Sequence, residues 1–236
     1  MIVCDGLTKR FGAQTAVSNA SFRCEPGTVT GFLGPNGAGK STTLRMICGL
    51  TPPSAGTATI GGRHYSEIPN PAHLVGVMLD ASAQHPGRTG KETLSLTAAT
   101  LGLEKTDVGA MFERVGLDEK AAKKRVGSYS LGMRQRLGIA SALIGDPKIL
   151  ILDEPANGLD PEGIRWIRLF LREQAQAGRT VLLSSHLMGE LAETVDDVVV
   201  IVGGRIVADG TLAEVTGNHK NLEDAFFALT GDRGAR

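Results

Sequence analysis

Several features typical of secreted, disulfide-linked or membrane-spanning proteins are absent from this 236-residue sequence. Its three cysteines, Cys4, Cys24 and Cys48, are odd in number and show no CxxC spacing, so we expect reduced thiols rather than disulfides or a metal site. The longest aliphatic runs, residues 149–152 and 198–202, are far shorter than the roughly 20 residues needed to span a bilayer. No basic N-terminal segment leads into an apolar stretch, so we expect a cytoplasmic protein that cannot itself form a membrane pathway.

An excess of either charge is also absent. Lys and Arg together number 25, Asp and Glu together number 25, and the formal net charge is zero. A neutral chain gives no general attraction for a nucleic-acid backbone, and the basic stretch at residues 120–125 is better explained as a solvated face. We therefore expect no nucleic-acid partner. A zinc site is not predicted either, since metal-ligand spacing is missing among His64, His73, His85 and His219.

The apolar segments that are present predict an α/β fold. Short apolar runs at residues 29–33, 149–152 and 181–183 are bounded by Gly, Pro or Asp, and each precedes a plausible helix, as in a buried parallel sheet. Residues 198–208 contain a Gly-Gly turn and predict a terminal β-hairpin. The stretch up to about residue 32 alternates and contains turn residues, which predicts antiparallel strands flanking the parallel sheet.

Helical patterning is concentrated in the middle of the chain. Helices are predicted at residues 41–50, after Asp160 and at 221–230, where Leu222, Phe226 and Leu229 share a face. From about residue 89 to 144 there is little strand signal, and apolar residues recur at helical spacing: Leu94, Leu96, Leu101, Val108, Met111, Val115, Leu137, Ala140 and Ile144. We predict one domain over residues 1–236 with a helical subdomain inserted into its α/β core.

Residues 34–42 match the phosphate-binding pattern GxxxxGK[ST] between a predicted strand and a predicted helix. Glycines let backbone amides approach phosphate oxygens without Cβ clashes, and the helix N-terminus adds the positive end of its dipole. We expect Lys40 to reach the β- and γ-phosphates and the Ser41 hydroxyl to bind Mg²⁺. The sequence therefore predicts a site for ATP and Mg²⁺ formed by Gly34, Pro35, Asn36, Gly37, Ala38, Gly39, Lys40, Ser41 and Thr42.

A second motif places two carboxylates at the end of the apolar run 149–152. Side chains alternate along a strand, so Asp153 and Glu154 are expected to point in different directions. Asp153 suits the coordination shell of Mg²⁺, and Glu154 can polarise the attacking water as a general base. Asp153 follows Lys40 only after the whole helical segment, and no NKxD motif is present. A GTPase is therefore disfavoured.

With these two motifs the chain resembles the ATP-binding subunit of ATP-binding-cassette (ABC) transporters over essentially its whole length. Residues 129–136, which we call the signature turn, read YSLGMRQR where that family has LSGGQ. Ser130 and the Gly132 amide precede a predicted helix and form an anion site, although plain helix capping gives the same local pattern. The resemblance implies that this turn grips a γ-phosphate bound to another subunit. The variant SLGM resembles the bacterial drug- and antibiotic-resistance exporter branch.

The resemblance also suggests roles for four further residues. Residues 157–160, which we call the D-loop, resemble a segment that communicates across the family's dimer and end at Asp160. His186 follows the strand at 181–183, like a histidine that contacts the γ-phosphate, although a strand-end histidine is often merely hydrogen-bonded. Phe11 resembles an aromatic that stacks on adenine, with a core or turn aromatic as the alternative. Asp80 stands where a glutamine is usual; it can accept hydrogen bonds or bind Mg²⁺ but cannot donate as an amide does.

The resemblance implies that ATP joins two copies of the chain. The phosphate loop and His186 of one copy, and Ser130 and Gly132 of the other, would hold one γ-phosphate until hydrolysis lets the copies part. A separate membrane-spanning permease would receive the motion near Asp80, placing this chain at the cytoplasmic face of the membrane. An ATP-dependent regulatory switch without transport is the alternative function. A small-molecule phosphotransferase would need an acceptor pocket with its own base, for which the sequence offers no constellation.

Overall fold

The computed structural model describes residues 1–103 and 108–231. Its strands and helices confirm the predicted α/β class. The strands are β1 Ile2–Phe11, β2 Gln14–Cys24, β3 Val29–Leu33, β4 Ala55–Ile60, β5 Val75–Met78, β6 Ile149–Asp153, β7 Thr180–Ser185, β8 Asp197–Val202 and β9 Arg205–Thr211. The α-helices are α1 Lys40–Ile47, α2 Gly90–Thr100, α3 Val108–Arg114, α4 Glu119–Lys123, α5 Leu131–Leu143, α6 Pro161–Gln176, α7 Met188–Ala192, α8 Leu212–Thr216 and α9 Leu222–Thr230.

A six-stranded sheet forms the centre of the fold, in the order β5-β6-β7-β3-β8-β9. The first five strands are parallel, and β9 runs antiparallel to β8 as the predicted hairpin. Neighbouring residues on β7 enter opposite apolar cores, with Leu182 on one face of the sheet and Leu183 on the other. Because both faces are covered, the strands read as continuous apolar runs rather than alternating ones. Ligands of such sheets bind outside the carboxyl ends of the strands.

The N-terminal part forms a second sheet, of three antiparallel strands in the order β2-β1-β4. This confirms the predicted antiparallel region and adds β4, which was not predicted. Its sequence, AGTATI, contains two alanines, one glycine and only one large apolar side chain, Ile60. Cys4, Cys24 and Cys48 are buried free thiols in the core between this sheet and the central one, and burial raises the pKa of each.

Helices α2 to α5 form the predicted helical region between β5 and β6. Leu94, Leu137 and Ala140 are buried there as expected, whereas Leu96 is 48% exposed and does not contribute to the core. Residues 104–107 of this region lie outside the described residues. The helical periodicity therefore predicted the element type correctly, but it did not identify every buried side chain.

Two helix ends differ from the predictions in length or exposure. Helix α1 was predicted to reach residue 50, but it ends at Ile47, and Leu50 is 63% exposed because Gly49 has turned the chain with φ of +67°. On α9, Leu222 and Phe226 are buried as predicted, while Leu229 is 40% exposed. Among the helices of the described residues, none combines the length and the apolarity required to cross a bilayer.

Candidate functional site

The predicted phosphate loop connects β3 to α1 at the carboxyl edge of the central sheet. Two of its glycines are required by close backbone contacts. A Cβ on Gly34 would lie 2.3 Å from the Ile201 carbonyl oxygen, and one on Gly39 would lie 2.6 Å from that of Ala16. Gly39 is also the N-cap of α1, with φ of +109° and no side-chain cap. The first-turn amides of α1 therefore have no capping side chain and remain suitable for binding phosphate oxygens.

A cleft of about 580 Å³ opens above this loop, which is within the usual size range of small-molecule sites. It is lined by nine residues predicted from the sequence, namely Phe11, Pro35, Asn36, Gly37, Gly39, Lys40, Ser41, Thr42 and Glu154. Gly34 and Ala38 also belong to the loop, but both are buried and do not line the cleft. The sequence-based prediction did not include five residues that complete the lining, from β2 and the β8–β9 turn: Gln14, Thr15, Ala16, Gly203 and Gly204.

Phe11 lies at the edge of this cleft, at the end of β1. Its side chain is 54% exposed, which excludes a core aromatic and leaves a turn aromatic as the alternative, because Phe11 immediately precedes the β1–β2 turn. The Lys9 ammonium lies 5.1 Å from the centre of the Phe11 ring, in the range of a cation–π contact. An exposed ring with its orientation supported in this way is suited to stacking on a planar base.

Lys40, Glu154 and His186 form a connected cluster at the cleft. Lys40 is only 6% exposed; its Nζ donates to the Gly34 carbonyl at 2.8 Å and lies 3.4 Å from Glu154 Oε1. The other carboxylate oxygen of Glu154 is 2.8 Å from His186 Nδ1. Glu154 thus contacts a cation on one side and an imidazole on the other, so its carboxylate is oriented before any ligand binds.

The two adjacent carboxylates have different partners, Ser184 for Asp153 and Lys40 and His186 for Glu154, but the reason predicted for their divergence is wrong. Strand β6 ends at Asp153, and Glu154 leaves the strand in a left-handed conformation with φ of +49°. Strand alternation therefore does not set the direction of Glu154. Ser184 holds the pair together, because its Oγ donates to Asp153 Oδ1 and accepts from the Glu154 amide at 3.0 Å.

The signature turn lies outside the cleft lining. Ser130 is exposed and caps α5 by accepting a hydrogen bond from the Met133 amide at 3.2 Å. A Cβ on Gly132 would lie 3.3 Å from Leu159, so the turn contacts the D-loop of its own chain. Asp160 caps α6, accepting from the Gly163 amide at 2.8 Å. The structure therefore brings the signature turn and the D-loop together but separates both from the phosphate loop's cleft.

Asp80 also lies outside the cleft lining, exposed just beyond β5. Its Oδ1 accepts from the Ser82 amide at 2.7 Å and from the Ser82 hydroxyl at 2.6 Å. These hydrogen bonds, with a smaller contribution from the positive charge of Arg45, hold the pKa of Asp80 below its usual value. Asp80 is thus an ionised acceptor fixed in a turn.

Gln135 and Ser184 had no predicted role, yet both contact residues 153–157. Gln135 lies within the signature turn, but only Ser130 and Gly132 of that turn were predicted to bind an anion. Ser184 lies near the end of a strand, two residues before His186. Its position next to a strand-end histidine is the one local signal that could have identified it.

The fold and this cluster define a nucleotide-binding ATPase of the phosphate-loop class. A family model described as ABC transporter matches residues 17–157. The bacitracin transport ATP-binding protein BcrA of Bacillus licheniformis is 38% identical over 206 residues, covering 86% of this chain and 67% of that protein. The lantibiotic transport ATP-binding protein SrtF of Streptococcus pyogenes is 33% identical over 226 residues, covering 96% of each.

Solved structures agree with this assignment. A structure described as the ATP-binding subunit of an ABC transporter superposes with a TM-score of 0.89 and is 27% identical, covering 98% of this chain and all of that one. The chain belongs to the ABC transporter family. Within that family it is an ATP-binding subunit that hydrolyses ATP.

Proposed function

We propose that this chain powers an exporter by closing on ATP as a dimer and passing the motion to a separate membrane-spanning permease. The observation that carries the proposal is the cluster at the cleft, where Glu154 contacts both Lys40 and His186. A carboxylate oriented beside a phosphate-binding lysine is suited to activating water against a γ-phosphate. The proposed domain is one ATPase domain over residues 1–236.

In the proposed mechanism, Lys40 exchanges its contacts with Gly34 and Glu154 for the β- and γ-phosphates. The uncapped first-turn amides of α1 bind phosphate oxygens, and Phe11 stacks on the adenine. Glu154, released from Lys40, accepts a proton from the attacking water, whose oxygen bonds to the γ-phosphorus as the bond from that phosphorus to the ADP oxygen breaks, so that ADP and phosphate leave. His186 keeps the carboxylate oriented and contacts the γ-phosphate.

The same site fits Mg²⁺. Ser41 lines the cleft beside Lys40, and Asp153 precedes the cleft residue Glu154 at the end of β6, which is separated from β3 by β7. A hydroxyl and a carboxylate, together with phosphate oxygens, form the hard oxygen donor set that Mg²⁺ prefers. Ser41 and Asp153 are therefore proposed as its protein ligands, and the ion would neutralise charge on the phosphates.

Two copies are needed because the signature turn lies away from the cleft of its own chain. Ser130 and the Gly132 amide form a second anion site at the start of α5, and in the proposed dimer they bind the γ-phosphate held by the other copy. Asp160 and the D-loop lie beside that contact. Contacts made only in the closed dimer shift the population toward closure, and hydrolysis removes them.

The proposed cargo is a drug or antibiotic. BcrA and SrtF are named as transport ATP-binding proteins for bacitracin and a lantibiotic, and the SLGM signature supports the same branch. The proposed location is the cytoplasmic face of the membrane, where the permease would contact the surface near Asp80. Substitution of Asp80 by Asn tests whether its carboxylate binds Mg²⁺ or positions water there.

The test is a Glu154→Gln variant, tagged and recovered with Mg–ATP in mild detergent from the membranes of its source organism. We expect hydrolysis to fall about 10²- to 10⁴-fold, the range for losing a general base. ATP should still bind and should trap a dimer together with a stoichiometric multi-span protein. The same preparation without nucleotide is the control.

Two outcomes of this experiment would oppose the proposal. Turnover at the wild-type rate would show that Glu154 is not the base. Recovery of the dimer with partners that have no membrane spans would favour the alternative function, an ATP-driven regulatory switch, over transport.

A further inference from the structure

Gln135 is a buried polar residue that connects the signature helix α5 to the segment carrying Glu154. It is 5% exposed and lies five residues after Ser130. Its Nε2 donates to two backbone carbonyls, those of Glu154 and Asn157, each at 3.2 Å. One amide group on α5 therefore holds both ends of residues 154–157, between the catalytic carboxylate and the D-loop.

The orientation of this amide is fixed by its surroundings. Turning it over would place Oε1 against two carbonyl oxygens, which are acceptors only. In the described part of the chain, Gln135 Oε1 is buried and has no hydrogen-bond partner. Gln135 thus makes its side-chain hydrogen bonds as a donor alone. Because its Oε1 is buried without a partner, it is not a fully satisfied core amide.

The residue that Gln135 holds has an unusual backbone. Glu154 is left-handed, with φ of +49°, a conformation that non-glycine residues keep only when the surroundings impose it. Its amide donates to Ser184 Oγ at 3.0 Å, and its carbonyl accepts from Gln135 and from the Asn157 amide at 3.1 Å. Gln135 is the one of these three partners that belongs to the helical region.

We propose that Gln135 is a positioning residue that couples the signature turn to Glu154 of the same chain. This inference rests on the proposed function. Ser130 and Gln135 lie on one helix, separated by about 7.5 Å along its axis at 1.5 Å per residue. A shift of α5 when Ser130 binds the other copy's γ-phosphate moves the Gln135 amide, and with it the backbone of Glu154. Each copy then hydrolyses its ATP in response to nucleotide in the other.

The test compares Gln135→Met with Gln174→Met. Methionine keeps the length and volume of glutamine but donates no hydrogen bond. Gln174 is a matched control, since it is 1% exposed and also joins the helical region to the core, accepting from Arg114 Nη2 at 3.3 Å. It lies on α6, remote in sequence from residues 154–157. Steady-state hydrolysis is measured against ATP concentration, with thermal unfolding of each variant.

We expect Gln135→Met to lower kcat about tenfold or more, because a small misplacement of a catalytic group is costly. KM for ATP should not change, and cooperativity in ATP should be lost. On a Glu154→Gln background, Gln135→Met should still form the ATP-dependent dimer. Gln174→Met should keep the wild-type kcat and cooperativity, although its loss of thermal stability should be similar to that of Gln135→Met.

Gln135→Glu places an acceptor against the two carbonyls and should therefore have the same kinetic effect as Gln135→Met. It replaces Gln135→Met in the test if that variant fails to fold.

The inference is overturned if Gln135→Met keeps wild-type kcat and cooperativity, or if Gln174→Met causes the same kinetic losses. Glu154→Gln is assayed in parallel to separate the two proposals. An inactive Glu154→Gln with a normal Gln135→Met rejects the role of Gln135 alone. A wild-type protein that fails to dimerise on ATP rejects the proposed function and this inference together.

Discussion

The N-termini of helices α1 and α5 are both suited to binding anions, but they are built differently. Helix α1 starts after Gly39 in a left-handed conformation and has no side-chain cap. Helix α5 starts after Ser130, whose side chain caps the Met133 amide. Free first-turn amides are unfavourable unless a partner satisfies them. The α1 end is thus arranged for a phosphate as its partner, whereas one of the first-turn amides at the α5 end is already bonded to its own serine.

The side chains around the two helix ends also differ. At α1, the buried Lys40 lies beside Glu154, which in turn contacts His186. At α5, Ser130 is exposed and Gly132 contacts Leu159 of the D-loop. A single copy therefore contains a nearly complete nucleotide site at α1. In the proposed dimer, the α5 end becomes a phosphate site when another copy presents a nucleotide to it.

Lys40→Ala is expected to have the largest effect and to act on the α1 end alone. Loss of a charged hydrogen-bond donor costs about 1.5–3 kcal/mol, which corresponds to a loss of ATP affinity of about 10- to 100-fold. Titration with a fluorescent ATP analogue measures this in dilute, monomeric protein. An unchanged titration curve would contradict the assignment of this loop.

Ser130→Ala is expected to have a smaller effect and to separate the two ends. Monomeric protein should bind ATP with unchanged affinity, while ATP-dependent dimerisation and hydrolysis fall about tenfold if one neutral hydrogen bond to phosphate is lost. The lost helix cap should also lower the free energy of unfolding by about 1 kcal/mol.

Ser130→Thr is the matched control, because threonine retains a capping hydroxyl. It should recover most of the dimerisation, measured by sedimentation with ATP on a Glu154→Gln background. Equal losses of monomeric ATP binding in Lys40→Ala and Ser130→Ala would remove the proposed distinction between the two helix ends.

The same comparison explains which parts of the molecule could be predicted from the sequence. The α1 end depends on residues 34–42, which are contiguous, so their spacing predicts both the backbone and its ligand. Strands β3, β6 and β7 of the central sheet were predicted because burial on both faces leaves continuous apolar runs. Strand β4 lacks such a run, and it was not predicted because its strand conformation depends on antiparallel pairing with β1 rather than on its own sequence.

Tertiary contacts account for what was missed at the site. Gln135 meets Glu154 only because α5 packs against the end of β6, and Ser184 meets Asp153 only because β7 lies beside β6. The direction of Glu154 was attributed to strand alternation, whereas a positive φ sets it. Positive φ at a non-glycine residue is imposed by surroundings that no local pattern records.

Gly158→Ala is expected to affect turnover least and tests how the α5 end contacts its own D-loop. Gly158 has φ of +72°, and a Cβ there would lie 2.1 Å from Leu131 Cδ2. We expect unfolding free energy to fall by about 2–4 kcal/mol, combining left-handed strain with overpacking, and monomeric ATP binding to stay unchanged.

Gly178→Ala is the control for strain alone, since Gly178 has φ of +84° and nothing within 4 Å of its Cβ position. Adding Leu131→Ala to Gly158→Ala should reduce the loss toward that of Gly178→Ala in urea unfolding. If the double variant remains as unstable as Gly158→Ala, the Leu131 contact does not determine the packing of the signature turn on the D-loop.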